Sequence, residues 1–443
     1  MNNTHTIVAI ATPAGEGGIA VIRISGTRAV KAANTILTYK GDLVSHMAKL
    51  CEVDTGKIKD EALAIYFKKP HSFTGEDVVE IHCHGNYLIA THIVAALVQK
   101  GCRPAEPGEF TRRAFYSGRI DLTRAEGVLD LIKAKSESAI NLAYGQLKGG
   151  LANKILPIQE VLVQAIARLS AAIDYPEDDI VESAKDEIVA QLTPLRADLA
   201  HILDSYQEGV VRREGVRVAI VGSPNVGKSM LLNQLLGFER AIVSDIAGTT
   251  RDTLAENFSY QGILFCLIDT AGIRKTTHAI EKKGIARSQE ALDSADLILA
   301  VYDQTADFTL PLPPHKPIIY VKNKIDLEKV VKNTAQPIDK SHKICYISSL
   351  TGKNIDKLKE AMHKEVLGNI SSHGALINSM RHLNAVRGAQ TALTRALAQS
   401  AALSMDCMLS DIQDALRHIA SITGTIATEE VVNEIFNKFC VGK

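Results

Sequence analysis

The sequence predicts a multidomain chain that is part α/β and part all-α: an N-terminal α+β domain, a discontinuous helical domain, and an α/β domain with a mostly parallel sheet inserted into the helices. Three observations carry that prediction. At roughly 150 residues per domain, 443 residues make about three domains, each long enough to bury a core. Residues 1–118 mix short β-branched runs with helical stretches, whereas 119–212 and 373–443 are rich in Ala, Leu, Ile, Glu, Lys and Gln, a composition that favours long helices. Between them, 213–372 alternates apolar strand runs with amphipathic helices, the rhythm of a parallel sheet covered on both faces. Helical texture on both sides of an α/β segment implies one helical domain interrupted by an insertion, whose two ends should lie close together.

Taken in order, 7–11 and 19–24 read as strands separated by the turn cluster Pro13-Ala14-Gly15-Glu16-Gly17-Gly18. A strand over 78–84 precedes Gly85 and a helical pattern that runs through Val98. Helices follow from Leu122 to Ser170 with Pro157 as the sole proline, then an acidic stretch over 174–187, then helix again to about Glu208. In the inserted segment, 218–221, 264–268, 297–301 and 318–321 read as buried strands. Past Ser371-Ser372-His373-Gly374 the helical texture returns.

Composition excludes several classes of protein. With 46% hydrophobic and 23% charged residues the chain is not disordered as a whole. Fifty Lys and Arg balance fifty Asp and Glu, which excludes a globally basic nucleic-acid binder and leaves local patches open. No run of about 18 apolar residues is present, so no membrane span is expected. The segment Thr6-Ile7-Val8-Ala9-Ile10 follows no basic or amphipathic leader, and a cytoplasmic location is expected. The seven cysteines contain no C-x-x-C pair and read mostly as buried thiols. Cys440-Val441-Gly442-Lys443 has the wrong last two residues for a prenylation box.

The chemistry lies first in the insertion. Gly222-Ser223-Pro224-Asn225-Val226-Gly227-Lys228-Ser229 fits G-x-x-x-x-G-K-S/T between an expected strand and an expected helix. Glycines let backbone N–H groups close around phosphate oxygens, and the helix start adds a favourable dipole. Lys228 offers charge to the outer phosphates and the Ser229 hydroxyl a ligand for Mg2+, with Asn225, Val226, Gly227 and Met230 completing the loop. Asp269-Thr270-Ala271-Gly272 ends one strand, where Asp269 can hold the Mg2+ shell through water and the Gly272 N–H can sense the γ-phosphate. Asn323-Lys324-Ile325-Asp326 ends another. The Asp326 carboxylate can accept two hydrogen bonds from guanine N1 and N2, which adenine cannot offer, so guanine is preferred. Ser348-Ser349-Leu350 completes the base pocket. In this order, each on a strand end, these segments predict a GTPase.

They resemble the G motifs of the translation-factor class of small GTPases, which implies a Ras-like P-loop domain. The loop Ser244-Asp245-Ile246-Ala247-Gly248-Thr249-Thr250-Arg251-Asp252 looks like a first switch, with Thr250 a second Mg2+ ligand. Ile273 stands where a Ras-type enzyme places its water-orienting glutamine, so another group must do that work. No arginine is evident for the transition-state charge, and Asn225 offers an oxygen to a monovalent cation in its stead.

The flanking domains narrow the resemblance. Ala105-Glu106-Pro107-Gly108-Glu109-Phe110-Thr111-Arg112-Arg113-Ala114-Phe115 and Gly118-Arg119-Ile120-Asp121-Leu122 resemble the MnmE family, also called TrmE, of tRNA modification GTPases. So do Ile10-Ala11-Thr12-Pro13, Gly17-Gly18, Ser72-Phe73-Thr74-Gly75-Glu76-Asp77 and Phe439-Cys440-Val441-Gly442-Lys443, over essentially the whole chain. The resemblance implies a homodimer made through the N-terminal domain, which also binds a tetrahydrofolate one-carbon donor. It implies an FAD-containing partner, MnmG, and aminomethyl or carboxymethylaminomethyl addition to carbon five of the wobble uridine of tRNA. It carries the folate site onto Arg23, Glu80, Arg119 and Lys443, where a carboxylate suits pterin N–H groups and cations suit the glutamate tail. It puts K+ at Asn225, Ser244, Ile246 and Thr249, and makes Glu281 the catalytic group that orients water beside Lys228 and Asn225.

Other features read as structure. Glu80 shares a strand face with His82 and His84, which is equally a solvated face, and Cys83 points away from both histidines, so no metal site is expected. Cys440 is expected beside the folate rather than as a nucleophile. Arg212, Arg213 and Arg217 can touch tRNA phosphates, though a solvated hinge is preferred. An Era-like RNA-binding switch in ribosome maturation is the alternative function; no KH-type Gly-x-x-Gly module follows the G motifs to support it.

Overall fold

The computed structural model describes residues 5–39, 41–174, 180–237, 255–269, 291–303, 312–327, 343–368, 377–398 and 405–443. By packing the chain divides into two units, one of Met1–Leu129, Ile155–Val163 and Leu416–Lys443, the other of Asp130–Lys154 and Gln164–Ala415.

In the first unit the chain runs through β1 (Ile7–Ile10), β2 (Gly17–Ser25), α1 (Ala29–Ala33), β3 (Ala48–Asp54), β4 (Lys59–Phe67), β5 (Val78–Gly85), α2 (Tyr87–Gln99), β6 (Arg103–Pro104), α3 (Glu109–Tyr116) and α4 (Leu122–Lys133). The sheet order is β3-β4-β5-β2-β1-β6, antiparallel apart from β1 with β6. Strand alternation buries Ile22, Ile24, Val53, Ala64 and Ile81 on one face, where Ala90, Ile93 and Leu97 of α2 join the core. Asn86 starts α2 by accepting the N–H groups of Leu88 and Ile89 on its side-chain oxygen. Leu122, Ala125 and Leu129 of α4 pack with Val432, Ile435 and Phe436 of the helix Glu429–Phe436 and with Phe439 beyond it.

A buried ionic network ties the Ser72–Asp77 loop to α3. The Arg113 guanidinium, 2% exposed, donates to Glu109 at 2.9 Å, to both carboxylate oxygens of Glu76 at 2.9 and 3.2 Å, and to the His5 carbonyl at 2.9 Å. Arg103 also binds Glu109, and the Glu106 N–H donates to its second oxygen. Ser25 donates to Glu76 at 2.7 Å, and the Ser25 and Thr74 hydroxyls bond to each other at 2.8 Å. Removing one member of such a set strands the others' charge, at a cost of about 3–5 kcal/mol.

The second unit holds α5 (Glu137–Leu147), most of α6 (Ala152–Asp174), α7 (Ile180–Asp204), α8 (Tyr206–Glu214), β7 (Val216–Val221), α9 (Lys228–Leu236), β8 (Ala255–Tyr260), β9 (Ile263–Asp269), β10 (Leu297–Tyr302), β11 (Ile318–Lys322), β12 (Lys343–Tyr346), α10 (Ile355–Leu367), α11 (Met380–Ala398) and the first part of α12 (Met405–Thr423). Its sheet runs β12-β11-β10-β7-β9-β8, and β8 alone is antiparallel to its neighbour. Both faces are covered: Val218, Ile220, Leu299 and Val321 pack with Leu231 and Leu235 of α9 and Leu358 of α10, while Ala219 and Ile298 pack with Leu292.

The long helices bury residues at alternating spacings of four and three, as in Ile188, Leu192, Leu195, Leu199 and Ile202 of α7, which packs on α11. Arg168 of α6 pairs with Glu187 of α7, and Arg395 of α11 with Asp411 and Asp414 of α12. One helical stretch among the described residues, Glu137–Asp174, is long and apolar enough to cross a membrane by length and composition, at a mean hydropathy of 1.3. The stretch holds no unbroken apolar run, being interrupted by Lys148, Lys154, Glu160 and Arg168, and Leu151, Ile155, Ile158, Leu162, Ala165 and Leu169 are buried at the same four-three spacing.

The ends of the α/β segment meet. Arg213 donates to Asp130 at 3.0 Å and to the Asn378 carbonyl at 3.0 Å, and the Asn378 amide donates to Asp130 at 3.1 Å. Gly209 lies so close to the Ile377 carbonyl that a Cβ there would stand 2.1 Å from its oxygen.

Burial opposes ionisation of Glu109, but the Glu106 N–H and the Arg113 and Arg103 guanidiniums outweigh it and hold the carboxyl below its ordinary range. A depressed folded-state value means stability that is present above the ordinary Glu range and lost as pH falls through and below it. Glu109→Gln should therefore lower stability at about pH 7 and flatten its decline on the acid side. Denaturant unfolding at stepped pH checks this; an acid-side slope equal to that of the natural chain would contradict it.

Candidate functional site

Parallel strands place their C-terminal ends on one edge, and the turn after β7 is built to receive an anion there. Asn225 and Gly227 adopt left-handed backbones, at φ 66° and 95°, that curl the turn into α9. Val226 is buried and anchors the loop, while Asn225, Ser229 and Met230 stand exposed. Lys228, the first residue of α9, lays its amine across the loop and donates to the Gly222 and Ser223 carbonyls at 2.9 and 2.8 Å.

One side chain joins this loop to the segments expected to hold a base. Asn323, 2% exposed, donates from Nδ2 to the Val226 carbonyl at 2.8 Å and accepts on Oδ1 from the Ser349 N–H at 2.9 Å. Asp326 is exposed and accepts from the Ser348 hydroxyl at 2.5 Å. Lys324 pairs with Asp303 at 2.6 Å. The buried Ser349 hydroxyl has no partner among the described residues, and Leu350 is exposed at the rim. Asp269 closes β9 in register with Ile220 of β7, so its backbone reaches the same edge. Residues Ser244, Asp245, Ile246, Ala247, Gly248, Thr249, Thr250, Thr270, Ala271, Gly272 and Glu281 lie outside the described residues.

A second polar cluster sits in the first unit. Arg23 and Glu80 are direct cross-strand partners, paired at 2.8 Å on the sheet face away from the core. Glu80 also bonds His82 Nε2 at 3.1 Å, and the Arg23 guanidinium lies 5.2 Å from the Phe73 ring centre and 5.7 Å from that of Phe110. The last residues dock beside it. The Phe110 N–H donates to a main-chain oxygen of Lys443, the Gly108 N–H to the Cys440 carbonyl, and Gly442, at φ 94°, leaves 2.2 Å between an added Cβ and the Ile10 oxygen. Burial, then the nearby Arg23, push the Lys443 amine below its ordinary range, against the pull of Glu80. Arg119 is exposed and donates to the Pro70 carbonyl at 3.2 Å.

Sequence reasoning assigned no role to Phe73, Phe110 or His82. The signal was present, because the two phenylalanines lie inside the motifs that carried the resemblance. Cys83 is buried on the face opposite the two histidines, His84 pairs with Asp60 at 2.7 Å, and no group of three metal-ligating side chains occurs among the described residues. Arg212 and Arg213 pair with Glu208 and Asp130 while keeping about a third of their side chains exposed, and Arg217 is exposed. Burial pushes the thiols of Cys51, Cys102 and Cys266 up and those of Cys83 and Cys345 to about 11, whereas Cys407 and Cys440 are exposed.

A phosphate loop at the C-terminal edge of a parallel sheet, cross-linked to an Asn-Lys-x-Asp box, defines a P-loop GTPase. The rest of the chain says which kind. Residues 6–119 match the family model "GTP-binding protein TrmE N-terminus" and residues 122–440 match "MnmE helical domain". Proteins named tRNA modification GTPase MnmE are similar throughout. That of Natranaerobius thermophilus is 40% identical, with 99% of each chain covered; that of Lactobacillus helveticus is 39% identical, covering 99% of this chain and 98% of that one. That of Acetivibrio thermocellus is 38% identical over all of both. The chain belongs to the MnmE family of tRNA modification GTPases and is a GTP hydrolase. Era from Aquifex aeolicus is 30% identical over 40% of this chain and 66% of that one at a TM-score of 0.25, a likeness that bears no argument.

Gly227 carries a checkable consequence. An added Cβ would stand 2.4 Å from Asn323 Nδ2 on a backbone that disfavours side chains. Gly227→Ala should weaken GDP binding by at least about tenfold, since displacing Asn323 frees the loop. Titration with a fluorescent GDP measures it, and unaltered affinity would contradict the cross-link.

Proposed function

We propose that GTP hydrolysis by this chain drives the addition of an aminomethyl or carboxymethylaminomethyl group to carbon five of the wobble uridine of tRNA. The reading includes a tetrahydrofolate one-carbon donor and an FAD-containing MnmG partner. Its domains are 1–118 for folate binding and dimerisation, 119–212 with 373–443 for the helical arm, and 213–372 for the G domain.

The Arg23–Glu80–Lys443 cluster is the observation that carries the folate reading. A carboxylate, two cations and two phenylalanine rings converge there, and the half-buried Lys443 amine is held by a tail docked through backbone bonds. Glu80 suits the N–H edge of a pterin, and Arg23, Lys443 and Arg119 suit carboxylates of the glutamate tail. Folate, when bound, supplies the one-carbon unit. The same sheet face supports a homodimer. Leu50 and Leu63 lie opposite each other in register, 64% and 39% exposed, an apolar pair that a second copy of the chain would cover.

In the G domain Ser229 and Thr250 would hold Mg2+ with Asp269 in its outer shell, and Glu281 would orient the attacking water. Asn225, exposed in the bend of the loop, offers its carbonyl to K+ together with Ser244, Ile246 and Thr249. K+ supplies the positive charge that an arginine finger gives elsewhere. Contact between two G domains would couple turnover to movement of the helices.

Exchanging K+ for Na+ should slow GTP turnover at least about tenfold, because the smaller ion fits the oxygen set poorly; equal steady-state rates in the two salts would remove K+ from the reaction. Arg23→Ala should weaken binding of a tetrahydrofolate derivative at least about tenfold, by loss of a charge-assisted partner. In a strain lacking the gene, that variant should fail to restore modified wobble uridine, measured by mass spectrometry of tRNA nucleosides. Full restoration would refute the folate assignment.

A further inference from the structure

We infer that Asp303 is a positioning residue for guanine recognition, acting by holding the Lys324 ammonium away from the Asp326 carboxylate. Asp303 follows the last residue of β10, and Tyr302 there is the register partner of Lys322 on β11. The Asn323 N–H donates to the Tyr302 carbonyl at 2.8 Å, so Asp303 and the Asn-Lys-x-Asp box leave neighbouring strands side by side. Asp303 is 6% exposed and its Oδ2 takes the Lys324 amine at 2.6 Å. Lys324 keeps this contact from a left-handed backbone at φ 62°, a conformation that costs a lysine free energy and persists only where its surroundings hold it.

The chemistry makes this placement matter. Asp326 recognises guanine as a naked acceptor, with both oxygens facing N1–H and the 2-amino group. An ammonium two residues away in the chain is its natural ion-pair partner, and a Lys–Asp contact there would occupy an oxygen that the base needs. The observed partner of Asp326 is instead the neutral Ser348 hydroxyl, which orients one oxygen and leaves the carboxylate its charge. Asp303 thus spends a buried charge on keeping the two halves of one tetrapeptide apart. The inference rests on the guanine-box reading and adds a residue outside every motif that identified it.

The test compares affinities for GDP and IDP, which differ by the 2-amino group alone, in the full-length chain. Asp303→Asn keeps the shape and frees the ammonium. It should raise the KM for GTP at least about tenfold, hold kcat within about twofold, and shrink the preference for GDP over IDP. Adding Lys324→Met to that variant removes the competing cation and should bring the preference back, which repair of a merely structural fault would not do. Asp303→Glu, which keeps the charge, should hold the preference and serves if the Asn variant folds poorly by circular dichroism. The inference is overturned if Asp303→Asn keeps the natural preference, if Lys324→Met fails to restore it, or if Asp303→Glu loses it. A natural chain that itself fails to distinguish GDP from IDP would overturn the base pocket and, with it, this inference.

Discussion

The nucleotide site depends on a single carboxamide. Asn323 is the residue through which the phosphate loop, the end of β11 and the Ser348–Leu350 loop become one body, because its two polar atoms are spent on the Val226 carbonyl and the Ser349 N–H. Both bonds are buried, where an unmet donor or acceptor costs about 1–3 kcal/mol, so neither loop moves without the other. Gly227 exists for this contact: no side chain fits between the loop and Asn323. Asn323 thereby ties the loop that carries Lys228 and Ser229 to the segment that carries Asp326.

The first unit solves a comparable problem with charge. Arg113 and Glu109 are buried deeply enough that either alone would destabilise the domain, yet together with Glu76 and Arg103 they fasten α3 to the Ser72–Asp77 loop. That fastening sets Phe73 and Phe110 close to the Arg23 guanidinium. The chain end then closes the arrangement. Gly442 lets two backbones approach where any Cβ would collide, and the docking of the tail brings Lys443 from the far end of the sequence to a strand pair near its beginning.

Much of this was legible in the residues. Local patterns of strand, glycine turn and helix start define the phosphate loop, since the chemistry that cradles phosphate is itself local. The pairing of the insertion's ends was also legible, because two stretches of helical composition flank a β-rich one. The hairpin β3–β4 was not. Its buried positions are Cys51, Val53, Ala62 and Ala64, small residues among Lys, Asp and Glu, and their alternation is too weak in hydropathy to announce strands. Glu137–Asp174 passes for a membrane span only on average composition, since Lys148, Lys154, Glu160 and Arg168 interrupt its apolar residues.

By itself the sequence determined the class of chemistry, a P-loop GTPase read from a glycine turn at a strand end and an Asn-Lys-x-Asp box. Those are properties of neighbours in the chain. Only the tertiary structure decided that Asn323 spans two loops, that Asp303 claims Lys324 and that Lys443 lies beside Glu80. Each of these joins residues far apart in sequence through distances of a few ångströms. Hydrogen-bond geometry and burial set such distances, and neither is written in the order of residues until the chain has packed.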